Sequence, residues 1–519
     1  MLLEGLRREG AAWAEAKLLA FGERLAGEAP IWAEQANRYP PVLRAYDRYG
    51  HRIDEVEYHP AWHALLQLAV ENAVHSLPWR EPRPGAHVAR SAFTYALIQV
   101  EAGCACPIAM TYSAVPALRK QPELAAEWEP RLTATEYDPR MLPAREKRGA
   151  LCGMAMTEKQ GGSDVQANTT RAVPLAAAGP GAEYALTGHK WFCSAPMSDA
   201  FLVLAQAERG LSCFLLPRFL PDGTRNRFHI QRLKDKLGDR SNASSEVEFN
   251  GAWARMVGEE GRGVPTIIDM VNHTRLDCVA GSAGLMRAAL VQAVHHARHR
   301  SAFGKRLVEQ PLMTNVLADL CLESEAATLV LLRLARAYDE APHAAEARAF
   351  ARLATAVAKY WVCKRAPSVT VEALECCGGN GFVEESVLPR IYRQAPLNSI
   401  WEGSGNVICL DVLRALQRRP EACDVFFAEL DAARSGERRL DAWVSQLRDE
   451  LAHLEDFEPR ARRVVERMAV ALCAALLVRF APPELADAYC ATRLAGEGGM
   501  NFGTLPPWVE STAIVERAL

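Results

Sequence analysis

The chain has 519 residues, more than one hydrophobic core normally supports, so about two to four packed units are expected. Its 49% hydrophobic and 24% charged residues are the composition of a soluble globular protein and exclude a disordered one. A net charge of −3 excludes bulk electrostatic attraction to nucleic acid or to an anionic membrane, so binding of that kind would need a local patch.

The opening MLLEGLRREGAAWAEAKLLAFGERLAG has the spacing of an amphipathic charged helix, with no apolar signal-peptide region, and no run reaches membrane-spanning length. Fourteen scattered cysteines, without a CxxC pair or a Cys/His cluster at zinc spacing, point to reduced thiols, a cytoplasmic location and no metal site. Residues 1–148 are rich in Ala, Leu and Glu at helical spacing, broken at RYPP, LPWREPRPG and EYDPRMLP, and read as a helical domain.

From 149 to 258 the texture changes to short β-rich runs, EYALTGHKWFCS, DAFLVLAQAE, LSCFLLPRF and SSEVEFNGAW, separated by turn residues. This is a central β-domain. Helix returns over 259–415, where Leu276, Val279, Ala283, Met286, Leu290, Val294 and Ala297 recur as a buried face requires. Residues 416–519 form a further helical domain, with EPRARRVVERMAVALCAALLVRF as its most apolar helix. No strand–GxGxxG–helix unit occurs, so a Rossmann site is not supported.

Five stretches carry candidate chemistry. MTEKQGGSDV sets Thr157 and Ser163 around adjacent glycines, either a plain turn or a loop whose N–H groups approach a polar ligand. GHKWFCS places an aromatic pair and Ser194 on a strand, suited to the core or to stacking on a planar ring. HHARHRSAFGKRL gathers Arg298, His299, Arg300, Lys305 and Arg306 near a Phe-Gly turn, as a solvated helix end or a diphosphate clamp. LECCGGNGF is a second glycine turn. NSIWEGSGN isolates Glu402 between a Trp and glycines, where desolvation would raise its pKa toward that of a general base.

In this order the five stretches resemble the acyl-CoA dehydrogenase family over about residues 45 to 415. The likeness is strongest to its AidB-type branch, linked to the adaptive response to alkylation, through DRYGHRIDEVEYHPAWH, MTEKQGGSDVQANTTRA, LSCFLLPRFLPDGTRN, LKDKLGDRSNASSEVEF and NSIWEGSGN. A looser likeness continues into the tail, which ordinary members of the family lack.

The resemblance implies a mainly α fold with a central β-domain, an extra C-terminal helical domain, and FAD as cofactor. Met156, Thr157, Ser163, Phe192 and Ser194 then match the family's flavin-contacting strands. Arg300 and Phe303, with Gln310 close behind, match the helix-end pair that reaches the FAD of a neighbouring subunit. Gly378 and Gly379 match FAD-contacting glycines, and Trp401, Gly403, Ser404 and Asn406 surround Glu402, which stands at the place of the catalytic base.

Three departures accompany the match. Thr274, before Arg275, occupies the position of the base in the isovaleryl branch, which leaves Glu402 as the only candidate; Glu375 replaces a usual Gln; and Lys159 and Gln160 replace Pro-Gly, adding bulk. The chain opens without the Pro-rich lead-in associated with AidB-type proteins, which leaves an internal start open. The implied activity is weak α,β-dehydrogenation of an acyl-CoA, short or branched, by a homotetramer that passes electrons to an acceptor such as an electron-transfer flavoprotein. The alternative is a DNA-associated protein of the alkylation response with a structural or detoxifying flavin. For it, Arg460, Arg463 and Arg467 share one helical face opposite Val465, Met468, Leu472 and Leu476, as a solvated face or a non-specific duplex contact.

Overall fold

The computed structural model describes residues 1–452 and 456–518, which divide into two compact units. One comprises Leu19–Pro82 and Val100–Thr274, the other Met1–Leu18, Arg83–Gln99 and Arg275–Leu519.

The first unit holds the β-domain. Strands β3 (Cys152–Ala155), β4 (Arg171–Pro174), β5 (Glu183–Ser194), β6 (Ala200–Ala207), β7 (Gly210–Pro217), β8 (Phe228–Leu233) and β9 (Ser244–Val257) form one seven-stranded sheet. Its order is β3-β6-β4-β5-β9-β7, with β8 paired to β9 off this path, and β7 also pairs with β6, so the path returns on itself and leaves fewer unpaired strand edges. β5 and β9 run antiparallel from Glu183 opposite Arg255 to Ser194 opposite Ser244. β6, buried along Ala200–Ala205, is the continuous apolar run expected of a strand covered on both faces. Leu118, Leu124, Trp128 and Leu132 of two helices meet Cys152, Leu202, Leu204, Leu215 and Val257 in one core.

The same unit contains an element that the sequence reading of residues 1–148 as helical omits. Val42–Tyr46 and Arg52–Glu57 (β1 and β2) pair as an antiparallel hairpin, Val42 opposite Glu57. Its alternation is shallow and mostly polar, so periodicity marks it weakly.

The second unit is helical. Its principal helices are Pro311–Glu340, Ala345–Cys376, Gly405–Arg418 and Phe457–Phe480, together with the Gly263–His299 helix from Arg275 onward. All seven residues expected on the buried face of Gly263–His299 are buried. Gly281 and Gly284 permit close contact on that helix. A Cβ on Gly284 would lie 2.8 Å from the Tyr95 carbonyl oxygen, and one on Gly281 2.8 Å from Asn398 Nδ2. Inside this unit Arg90, fully buried, pairs with Asp277 at 2.8 Å, as a buried guanidinium requires. All fourteen cysteines are free thiols, and among the described residues no helix is long and apolar enough to cross a membrane.

Candidate functional site

The helical unit supplies the carboxylate. Leu397–Ser399 forms a single turn, and Gly405–Arg418 begins six residues after it, with Glu402 half-buried in the link. Glu402 has φ +58, the left-handed region, which costs a non-glycine residue about 1–3 kcal/mol and persists only where the surroundings enforce it. Arg275 Nε donates to the Glu402 carbonyl at 3.1 Å, and the buried Lys359 Nζ donates to the Trp401 carbonyl at 2.8 Å and to that of Gly403. Arg275 is held in turn by Asp411, which also accepts 2.6 and 2.9 Å bonds from Arg352. Burial works against the charge on Asp411, yet the two guanidiniums keep its pKa below the usual carboxylate range. Trp401 Nε1 donates to Asn398 Oδ1 at 2.9 Å, while Asn398 Nδ2 reaches Ser282 Oγ at 3.2 Å.

Gly403 has φ +100, so the turn carries left-handed backbone at two consecutive residues. Ser404 precedes the Gly405–Arg418 helix as its N-cap residue and is exposed. Asn406 Oδ1 accepts 2.8 Å from Arg462 Nε of the Phe457–Phe480 helix, so the C-terminal helices reach the segment that carries Glu402. Isolated by sequence, Glu402 has a strained backbone anchored by cations on two different helices.

Gly378 (φ +57) and Gly379 begin a four-residue helix; a Cβ on either would meet nothing within 4 Å, so their backbone faces open space. Farther along, Ser301–Ala302 and Lys305–Arg306 pair across a two-residue turn with φ +53 at Phe303 and +77 at Gly304, the I′ pattern. That turn leaves Phe303 98% exposed. Arg300, at the base of the hairpin, is exposed, and its carbonyl accepts from Leu307 N at 2.9 Å. Gln310 closes the segment by donating to the Ala302 carbonyl at 3.1 Å and capping Pro311–Glu340.

The β-domain unit holds its own candidate residues. Met156 and Thr157 follow β3, and the Thr157 carbonyl accepts from Trp191 N at 2.9 Å, tying this turn to β5. A Cβ on Gly162 would lie 2.5 Å from Thr157 Oγ1, so only glycine allows this approach; Ser163 beside it is exposed. The fully buried Glu158–Lys190 pair (2.8 Å) locks the turn from beneath. Glu158 also accepts from Thr169 N at 2.7 Å and Thr170 N at 3.1 Å, and Lys190 donates to the Leu204 carbonyl at 2.7 Å. Burial alone would neutralise both groups. Lys190 and the surrounding donors nevertheless hold Glu158 well below the usual carboxylate range, while burial pulls Lys190 below its ordinary value against the pull of Glu158. Removing one partner would strand a buried charge, at a cost of about 3–5 kcal/mol.

On β5, Phe192 is 48% exposed and Lys234 Nζ lies 4.8 Å from its ring centre. Two residues on, Ser194 Oγ meets Ser244 Oγ at 3.1 Å. Met156 and Thr157 thus lie beside β5, the strand that carries Phe192 and Ser194.

Sequence reasoning missed Arg275, Lys359, Asp411, Glu158 and Lys190 as parts of the site. Glu158 and Lys190 lie inside the quoted motifs, so a paired charge within each was a usable signal. Lys359 stands alone in an apolar helical run, where a lysine on a buried face marks a bound partner.

The proposed duplex-binding face differs from its sequence reading. Val465, Met468, Leu472 and Leu476 are buried as expected, but Arg463 and Arg467 both approach Glu450 of the preceding helix, at 2.9 and 3.3 Å. Arg467 also lies 4.0 Å over the Trp443 ring, and Arg460 Nε donates to the Asp456 carbonyl at 3.3 Å. The face is partly neutralised and is not a free cationic stripe.

Residues 1–139 match the family "Adaptive response protein AidB N-terminal domain", 153–252 match "Acyl-CoA dehydrogenase, middle domain" and 261–417 match "Acyl-CoA dehydrogenase, C-terminal domain". AidB of Escherichia coli (strain K12) is 46% identical over 504 residues, covering 96% of this chain and 92% of the relative. The chain belongs to the AidB branch of the acyl-CoA dehydrogenase family. Acyl-CoA dehydrogenase family member 11 of Caenorhabditis elegans is 34% identical over 415 residues, 77% of this chain and 66% of that one. The crystal structure of Caenorhabditis elegans ACDH-11 in complex with C11-CoA superposes with a TM-score of 0.88 at 28% identity, over 95% of this chain and 90% of the other.

The family consists of FAD-dependent oxidoreductases that act on acyl-CoA. The residues present fit such a cofactor. Within the β-domain unit the exposed Phe192 ring suits a flat group; within the helical unit, taken by itself, the open backbone at Gly378 and Gly379 allows close approach of a ligand and the exposed Arg300 guanidinium suits a diphosphate.

Proposed function

We propose that this acyl-CoA dehydrogenase relative removes the α-proton of an acyl-CoA through Glu402, with weak activity on a short or branched chain. The observation that carries the reading is the strained, cation-anchored backbone of Glu402: a left-handed carboxylate-bearing turn has a folding cost that a plain surface loop would not retain. The thioester acidifies the α-carbon, and a fixed carboxylate oxygen within near-attack distance accepts the proton. When bound, FAD supplies the two-electron acceptor for the β-hydride. Met156, Thr157, Ser163, Phe192 and Ser194 would hold it from the β-domain, and Gly378, Gly379, Trp401, Gly403, Ser404 and Asn406 from the helical unit. Phe303 at the tip of the hairpin, with Arg300 at its base and Gln310 just beyond it, would be offered to a neighbouring copy in a homotetramer. An acceptor such as an electron-transfer flavoprotein would then take the electrons.

The test is anaerobic mixing of the FAD-loaded protein with a panel of acyl-CoA thioesters while the flavin band at about 450 nm is followed. Glu402→Gln keeps the shape of the side chain but cannot take the proton, so FAD should be retained while reduction slows by about 10²–10⁴-fold or more. Reduction at the wild-type rate would remove Glu402 as base. A wild-type protein that no thioester bleaches would favour the competing reading, a DNA-associated protein with a structural or detoxifying flavin.

A further inference from the structure

Lys359 lies midway along the Ala345–Cys376 helix and is 1% exposed, with Ala356, Val357, Ala358 and Tyr360 buried beside it. An ammonium buried to that degree needs partners that replace water. No ion pair among the described residues includes it, and its bonds go instead to the main-chain carbonyls of Trp401, at 2.8 Å, and Gly403. The carbonyl between them, that of Glu402, accepts from the buried Arg275 at 3.1 Å. Three consecutive carbonyls thus accept from cations that two helices carry.

The backbone here is not one that three residues adopt unaided. Glu402 has φ +58 and Gly403 φ +100, and the left-handed glutamate in particular must be enforced. Lys359 spans it, holding the carbonyl on either side. The Cys278 thiol, buried nearby, feels the charges of both Lys359 and Glu402, which places ammonium and carboxylate in one neighbourhood.

We infer that Lys359 is a positioning residue: by capturing the carbonyls of residues 401 and 403 it sets the left-handed turn at Glu402 and so the place of the carboxylate. The inference rests on the reading of Glu402 as base. Lys359 acts through the main chain, so it governs the rate of proton removal and leaves thioester binding alone.

The experiment compares FAD-loaded, full-length wild type with Lys359→Met, which keeps an unbranched apolar stem as far as Cε and loses the donors. Lys359→Gln, whose amide falls one bond short of the ammonium and cannot hold both carbonyls, is the intermediate case. Hydrogen exchange of the amides over residues 400–406, flavin reduction at saturating acyl-CoA, and acyl-CoA affinity are measured on each, with Glu402→Gln in parallel. For Lys359→Met we expect faster exchange confined to the turn and a saturating rate lower by about 10²-fold, the scale of an ångström misplacement, with affinity unchanged. Lys359→Gln should fall between the two, and it decides alone where the Met variant does not fold. Wild-type exchange at the turn together with a wild-type saturating rate overturns the inference, as does a loss confined to affinity. If exchange rises but Glu402→Gln still reduces at the wild-type rate, Lys359 holds the turn and the base is elsewhere, so the two readings fail separately.

Discussion

Asp339 is a carboxylate whose surroundings pull in opposite directions. It accepts from the main-chain N–H of His87 at 2.8 Å and of Val88 at 3.2 Å, at the start of the Ala86–Val100 helix, and both bonds favour its charged form. Burial is the larger effect and pushes its pKa up to about 7. Between about pH 4, where the unfolded chain loses this proton, and pH 7, where the fold does, the folded state binds the proton more tightly. Stability contributed by the protonated group is complete below about pH 4 and falls by up to about 1.4 kcal/mol per unit as pH rises to 7. Asp339→Asn, neutral throughout, should lack that slope. Denaturant midpoints at pH 5 and pH 8 should therefore fall further for wild type than for the variant; a constant gap between the two would contradict this account. Gly162 and Glu402 show the same principle in backbone form: one needs glycine for the approach of Thr157, the other carries a strained φ that its neighbours hold.

The Phe457–Phe480 helix turns two faces to different work. Its apolar side is buried, and from its polar side Arg462 reaches Asn406, at the start of the helix that follows Glu402. Arg463 and Arg467 share Glu450, so the helix offers less net charge than its arginines suggest. Each phosphate contact adds about one unit to the slope of log affinity against log salt. Three uncommitted arginines would therefore be worth about three units, whereas this face, with Arg463 and Arg467 facing Glu450 and Arg460 bonded to the Asp456 carbonyl, should contribute well under three. Changing Arg460, Arg463 and Arg467 together to Ala and titrating duplex DNA across a salt series measures this; a slope that flattens by about three would restore the free stripe. The helical face was legible in the sequence because 3.6-residue periodicity is local. The neutralising partner was not: Glu450 lies thirteen residues before Arg463, on another helix, and periodicity says nothing about which helices become neighbours.

At the scale of the whole molecule, large apolar side chains stand exposed on the helical unit: Phe303 at 98%, Leu312 at 83%, Phe382 at 79% and Ile400 at 61%. The proposed homotetramer would give such side chains a second copy to pack against. Phe303→Asp separates folding from assembly, because a side chain 98% exposed contributes almost no burial to its own chain. We expect its melting in dilute solution to change little, while light-scattering mass and FAD retained after dialysis both fall. Unchanged mass and FAD content would remove the hairpin from the interface.

The sequence by itself determined the order of helical, β and helical segments, the buried face of Gly263–His299, and the positions of the glycine turns and of Glu402. Each of these is written in periods of two or 3.6 residues or in a short contiguous motif, and local chain geometry imposes those patterns wherever the segment lies. Only the tertiary structure decided that Lys359 and Arg275 take the carbonyls of residues 401 to 403, that Asp411 steadies Arg275, that Glu158 and Lys190 meet in the β-domain core, and that Glu450 claims two arginines. Those pairings join residues far apart in the chain, and a buried charge is satisfied by whichever group lies within about 3 Å of it in space, a distance that no local sequence pattern encodes.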